Sequence, residues 1–149
     1  CTPQSPQPSH TASLMTTVVV GAAQQAALAY ARERQAFGKP IGKFQVLKHR
    51  LAEMATQLEV SREFTYRQAA KMSAGKSVIK EISMAKNFAT DVSDRITYDA
   101  TQILGGMGYS SETDMQRYWR DSRLWRIGPI TNEMARNSIA EQLGLPRSF

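Results

Sequence analysis

The chain has 149 residues, 42% of them hydrophobic, and a formal net charge of +6. That length suits one globular domain with its own core, and no apolar run approaches the roughly 20 residues that a bilayer-spanning helix needs. The single cysteine, Cys1, excludes an internal disulfide, His10 and His49 are too few for a histidine-based metal site, and the positive balance favours anionic partners without identifying one. In chain order, residues 1–13 begin with a Pro-, Ser- and Gln-rich stretch that cannot bury apolar area. They read as a disordered tail ahead of a helical domain over 14–149.

A first helix is predicted over Met15–Arg34, which is rich in alanine, carries Val18-Val19-Val20 and Gly21 at its head, and stops at the breakers Gly38 and Pro40. Its small side chains permit close packing. A second helix, about Ile41 to Ser73, places Leu47, Leu51, Met54 and Leu58 on one face through alternating steps of four and three. After the break Ser73-Ala74-Gly75, a third runs from Ser77 to Leu104. There Ile82, Ala85, Ala89, Val92, Ile96 and Ile103 keep the same rhythm, with Lys86, Asp91, Asp94 and Arg95 between them. Gly105-Gly106 closes it. Residues 112–126 supply a short helix, and a final one starts near Thr131, whose hydroxyl can cap exposed N–H groups, and runs through Met134, Ile139 and Leu143 to Gly144 and Pro146. Nothing alternates with period two for long enough to argue a strand. The expected fold is all-α, an antiparallel, up-and-down four-helix bundle with short connections.

Candidate functional residues carry two readings each. Gly105-Gly106-Met107-Gly108 follows a helix end, where glycine lets backbone N–H groups approach a ligand; on spacing alone, a helix cap and turn is the preferred reading. Arg34 offers forked donors suited to phosphate, or is simply a cation at a helix C-terminus with Phe37 as an apolar anchor. Gln45 is a polar residue at a helix start. Arg120, Asp121 and Arg123 read as a salt-bridged, solvated turn of helix. Trp119 and Trp125 read as core or subunit-interface residues, Tyr98, Tyr109 and Tyr118 as packing, and Arg62, Arg67, Lys71, Lys76 and Lys80 as a loose basic run facing solvent.

Three stretches occurring together shift these readings: Arg34-Gln35-Ala36-Phe37-Gly38-Lys39-Pro40-Ile41 with Gln45, Gln102-Ile103-Leu104-Gly105-Gly106-Met107-Gly108-Tyr109, and the run from Arg120 to Glu133. In this order they resemble the carboxyl-terminal helical domain of acyl-CoA dehydrogenases, over roughly Val18 to Leu145. The resemblance implies FAD as cofactor, an acyl-CoA substrate oxidised to 2-enoyl-CoA, and a homotetramer whose subunits share FAD sites. It assigns Arg34 and Phe37 to the pyrophosphate and adenine end of a neighbouring subunit's FAD. Gln45 matches a glutamine near FAD, Gln102 with Gly105 and Gly106 a turn against the adenosine half, and Thr131 a flavin contact. The Arg120–Asp121 pair matches a structural pair that orients the following active-site turn. Amino-terminal helical and middle β domains of that family have no counterpart in the chain, so a fragment, inactive alone, is expected. Its setting would be intracellular, in the cytoplasm or a mitochondrial or peroxisomal matrix, with no membrane partner.

Pro129 is the position that departs from the resemblance. Many members of the family carry Glu-Gly-Thr where this chain has Pro129-Ile130-Thr131. That glutamate abstracts the substrate's α-proton, and its N–H polarises the thioester carbonyl. Proline supplies neither group. A branch of the family places the base at the entry to the first helix, but Ala12 to Thr17 contains no acidic residue. No catalytic residue and no metal ligand is therefore assigned, and Glu133 is a poor substitute for the base. Two rival readings stand beside this one: a non-catalytic helical module that docks to full-length subunits, and a relative turned to nucleic-acid binding, marked by a contiguous basic face.

Overall fold

The described residues, 8–147, of the computed structural model form six α-helices and one minimal β-hairpin. The first helix, α1, spans Pro8–Glu33 and so starts earlier than the sequence suggested. Proline suits a first helical turn because its missing N–H would have no partner there. Packing explains the rest, since Ala12, Thr16, Val20, Ala23, Ala27 and Ala31, spaced by fours and a three, are all buried. Residues 1–7 of the expected tail lie outside the described residues. By length and composition 12–33 could cross a membrane, but in this fold its alanine seam is part of the core.

Between α1 and the next helix the chain makes a hairpin that the sequence did not reveal. Its strands β1, Gln35–Ala36, and β2, Lys39–Pro40, pair antiparallel with Gln35 opposite Pro40. Phe37 and Gly38 form the turn with φ of 52° and 75°. Two left-handed residues in succession match the twist of the flanking strands. Strands of two residues are too short for alternation to show. A 3-10 turn, Ile41–Lys43, follows, and helix α2 runs Gln45–Ser73, not from Ile41, because Phe44 is extended. Gly42 presses against α1: a Cβ there would lie 2.8 Å from the Ala31 carbonyl oxygen.

Helix α3, Ile79–Leu104, is the axis of the molecule, buried on most sides and in contact with α1, α2, α5 and α6. Its buried hydroxyls are compatible with that position because several bond their own helix: Ser83 donates to the Ile79 carbonyl, Thr90 to Lys86 and Thr97 to Ser93. Val92, Ile96, Ala100, Ile103 and Leu104 meet the α1 seam and Leu51, Met54 and Leu58 of α2 in one core. A single turn, α4, Gly106–Tyr109, leads to α5, Met115–Ile127, and α6, Asn132–Gln142. Contacts fix the directions. Arg50 pairs with Asp99 at 3.6 Å, joining the start of α2 to the end of α3, while the Thr97 and Ser122 hydroxyls meet at 3.0 Å and Arg123 reaches Asp94 at 3.1 Å, so α5 runs back along α3. The bundle is α1, α2, α3 and α5, up and down; α6 packs on α3.

Candidate functional site

The residues singled out in the sequence fall at two ends of α3. Because α1 and α3 are parallel, the hairpin after α1 and the glycines after α3 share one end of the bundle. Arg34, Phe37 and Gln45 are exposed there, as are Gln102, Gly105 and Gly106. The Arg34 guanidinium has no side-chain partner among the described residues; only its backbone is engaged, with N–H donating to Tyr30 and C=O accepting from Ile41. Phe37 stands 94% exposed at the hairpin tip, its ring edge-on to Phe44 at 6.2 Å. An aromatic ring so placed, on a residue that prefers not to adopt positive φ, is held out from its own fold.

The glycines divide their labour. Gly105 caps α3 with φ 59° and ψ −132°, a conformation open essentially to glycine alone, and donates its N–H to Thr101 and Gln102. Neither Gly105 nor Gly106 would bring an added Cβ within 4 Å of anything, so that backbone is open to approach. Gly108 does the opposite: it is buried, and a Cβ would lie 2.6 Å from the Thr101 carbonyl oxygen. The cap-and-turn reading thus holds at Gly105 and Gly108, and the backbone at Gly105 and Gly106 is sterically open. Beside it a groove of about 630 Å³ runs between α3, α4 and α5, lined by Gln102, Tyr98, Tyr109, Trp119, Arg120 and Arg123, among others. Tyr98, Tyr109 and Trp119 are 61%, 85% and 51% exposed, which removes the two tyrosines from the packing role expected of them; Tyr118 does pack against the core.

Thr131 lies toward the other end. It caps α6, its hydroxyl oxygen accepting from the Met134 N–H at 3.2 Å. It follows Lys86 of α3 in space, and Lys86 stands 19 residues before Gly105, about 28 Å along the helix at 1.5 Å per residue. The polar cluster beneath Thr131 was not legible in the sequence. Lys86 is fully buried and donates from Nζ to Asn132 Oδ1 at 2.5 Å, to the Ile130 carbonyl at 2.8 Å and to the Arg126 carbonyl at 3.5 Å. Asn132, also fully buried, donates to Thr90 Oγ1 at 2.9 Å and Asp91 Oδ1 at 3.3 Å. Around this sit Arg126 on Asp91 at 2.8 Å and on Asp94 at 3.2 Å. The pairing expected of Arg120 and Asp121 is not what anchors the turn. Neither makes an ion pair among the described residues, and Arg123 and Arg126 take that place.

Two groups in the cluster titrate away from their ordinary values. Burial pushes the Lys86 ammonium below 10.5, against the attraction of Glu133 and Asp91. Glu133 is held below the ordinary carboxylate range by its own backbone N–H at the start of α6, then by Arg136, the Thr131 hydroxyl and Arg126, outweighing partial desolvation. A carboxylate made more acidic is a weaker proton acceptor, so Glu133 is poorly suited to take a proton from carbon. The turn between, with Gly128–Pro129 cis, contains no carboxylate and no N–H at residue 129.

The chain is thus a helical bundle with an open glycine turn, an outward arginine–phenylalanine hairpin and a hydrogen-bonded turn before its last helix. The family description "Acyl-CoA dehydrogenase, C-terminal domain" matches residues 10–144, and the chain belongs to that family. It is 43% identical over 127 residues to the human mitochondrial short-chain specific acyl-CoA dehydrogenase, covering 83% of this chain and 31% of that protein. The solved butyryl-CoA dehydrogenase of Megasphaera elsdenii superposes with a TM-score of 0.90 at 34% identity, covering 92% of this chain and 36% of the other. The FAD complex of PigA superposes at 0.84 with 31% identity, over 89% and 35%. The chain thus spans about a third of the length of the curated relatives it matches.

Proposed function

We propose that this chain serves as the C-terminal helical part of an FAD-dependent acyl-CoA dehydrogenase that converts acyl-CoA to 2-enoyl-CoA. The observation that carries this reading is the division of seven residues between two ends of one helix: Arg34, Phe37, Gln45, Gln102, Gly105 and Gly106 at one, Thr131 toward the other. Arg34 has free donors for a pyrophosphate oxygen, and the open backbone of Gly105-Gly106 can lie against a nucleotide without side-chain interference. Gln102 borders the adjoining groove with donors and an acceptor for a base or ribose. Thr131 meets the flavin end, and the nucleotide-end residues serve the FAD of a neighbouring copy, as suits side chains that point away from their own core.

Held by these residues, FAD would supply the acceptor for the β-hydride of an acyl-CoA. The α-proton must leave to a base outside the 128–131 turn, because Pro129 has neither carboxylate nor N–H. In the flavin-loaded protein that carries this chain, Arg34→Ala should weaken FAD retention by about ten- to a hundredfold, the loss of a charge-assisted phosphate bond. Dialysis against flavin-free buffer followed by absorbance measures it; equal retention in both proteins would remove Arg34 from the site. The chain by itself, mixed with FAD and acyl-CoA, should leave the flavin oxidised.

A further inference from the structure

The connection from α5 to α6 has little apolar weight of its own: Pro129 and Ile130 are exposed and Gly128 has no side chain. Its order has to come from beneath. Lys86, fully buried on the central helix, faces it with three ammonium N–H donors, and three acceptors receive them. All three belong to the connection and its flanks: the Arg126 carbonyl where α5 ends, the Ile130 carbonyl within the turn, and Asn132 Oδ1 where α6 begins. Asn132 passes the hold back to α3 through Thr90 and Asp91. Stability alone is a poor reason to bury an ammonium, since an apolar residue of similar volume often serves as well or better. What an apolar residue cannot do is answer three oxygens at once.

We propose that Lys86 is the positioning residue of the Pro129–Thr131 turn, fixing the height and orientation of the Thr131 hydroxyl over α3 through hydrogen bonds to both flanks and the middle of the turn. What the turn is positioned for rests on the FAD reading above; the clamp itself does not. In the 149-residue chain, Lys86→Met keeps the volume and removes the donors. Native-state amide exchange should accelerate by about tenfold or more at residues 130–134, the cost of losing charge-assisted bonds, with little change at 20–31 of α1 and 92–104 of α3. Unchanged exchange in the turn, or equal acceleration throughout the bundle, would overturn the proposal. Should the variant not fold, nitrogen NMR of the unaltered chain gives the same decision. A slowly exchanging Lys86 ammonium coupled across its hydrogen bond to the Ile130 carbonyl supports the clamp, and a solvent-like ammonium overturns it. In the flavin-loaded protein, Lys86→Met should shift the visible flavin band at equal flavin content. A loosened turn with an unaltered band would overturn the link to the flavin. Failure of the unaltered protein to take up FAD would count against the functional reading, while the exchange result still decides the clamp.

Discussion

Lys86 sets a pH dependence whose sign follows from its burial. In the unfolded chain it titrates at its ordinary 10.5, and in the folded chain below that, so between the two values the unfolded state holds more protons. Folding stability attributable to this residue therefore rises with pH across that window. It is fully present above 10.5 and lost as pH falls through the folded value. The charged groups facing it are Glu133 and Arg136 from α6, Arg126 from α5 and Asp91 from α3. Denaturant midpoints of the unaltered chain and of Lys86→Met, compared from neutral pH upward, should diverge in favour of the unaltered chain as pH approaches 10.5. A constant difference would mean that the ammonium is not desolvated. The residue escapes sequence reading because its partners stand 40 to 46 positions away. One local sign existed: the residues three and four positions away, Ile82, Ser83, Ala89 and Thr90, are small or apolar, with no acidic partner for a solvated lysine.

Among the elements, helices were legible wherever one face repeats. The steps Leu51, Met54, Leu58 continue in the fold through Ser61, Thr65 and Gln68, all buried, so polar residues extend the core face beyond its last apolar member. The Gly105 boundary and the Thr131 cap were read correctly because both depend on a residue's own backbone chemistry. The hairpin was not, and neither was the burial of Ala12 and Ser13, since burial of small residues is decided by what packs on them. Near Thr131 the sequence showed the capping hydroxyl but not the buried Lys86 and Asn132 beneath the turn. The alanine seam gives the element-scale prediction. Ala27 has no exposed surface at the α1–α3 contact, so Ala27→Leu should destabilise by about 1 to 3 kcal/mol through overpacking. Denaturant unfolding reads this directly, and a neutral result would mean that α1 and α3 can separate at little cost.

For the molecule as a whole, stability and the proposed cofactor binding should be separable, because the residues proposed for the nucleotide end are exposed and lie outside the core. Phe37→Asn keeps a residue that tolerates positive φ and removes the ring. It should alter unfolding free energy by less than about 1 kcal/mol, the scale of one exposed aromatic contact, yet lower flavin retention in the flavin-loaded protein. Unaltered retention would take Phe37 out of the site.

The central place of α3 also governs how the chain meets its folding problem during synthesis. The buried face of α1 is complete at Ala31, but the helix that covers most of it is not finished until Leu104, about seventy residues later. At about 5 to 20 residues per second, that face waits for roughly 4 to 14 seconds outside the ribosome. A seam of alanines presents less adhesive surface during such a wait than leucines would. The small side chains that let two helices approach closely thus also limit the hazard of the interval before the second helix arrives.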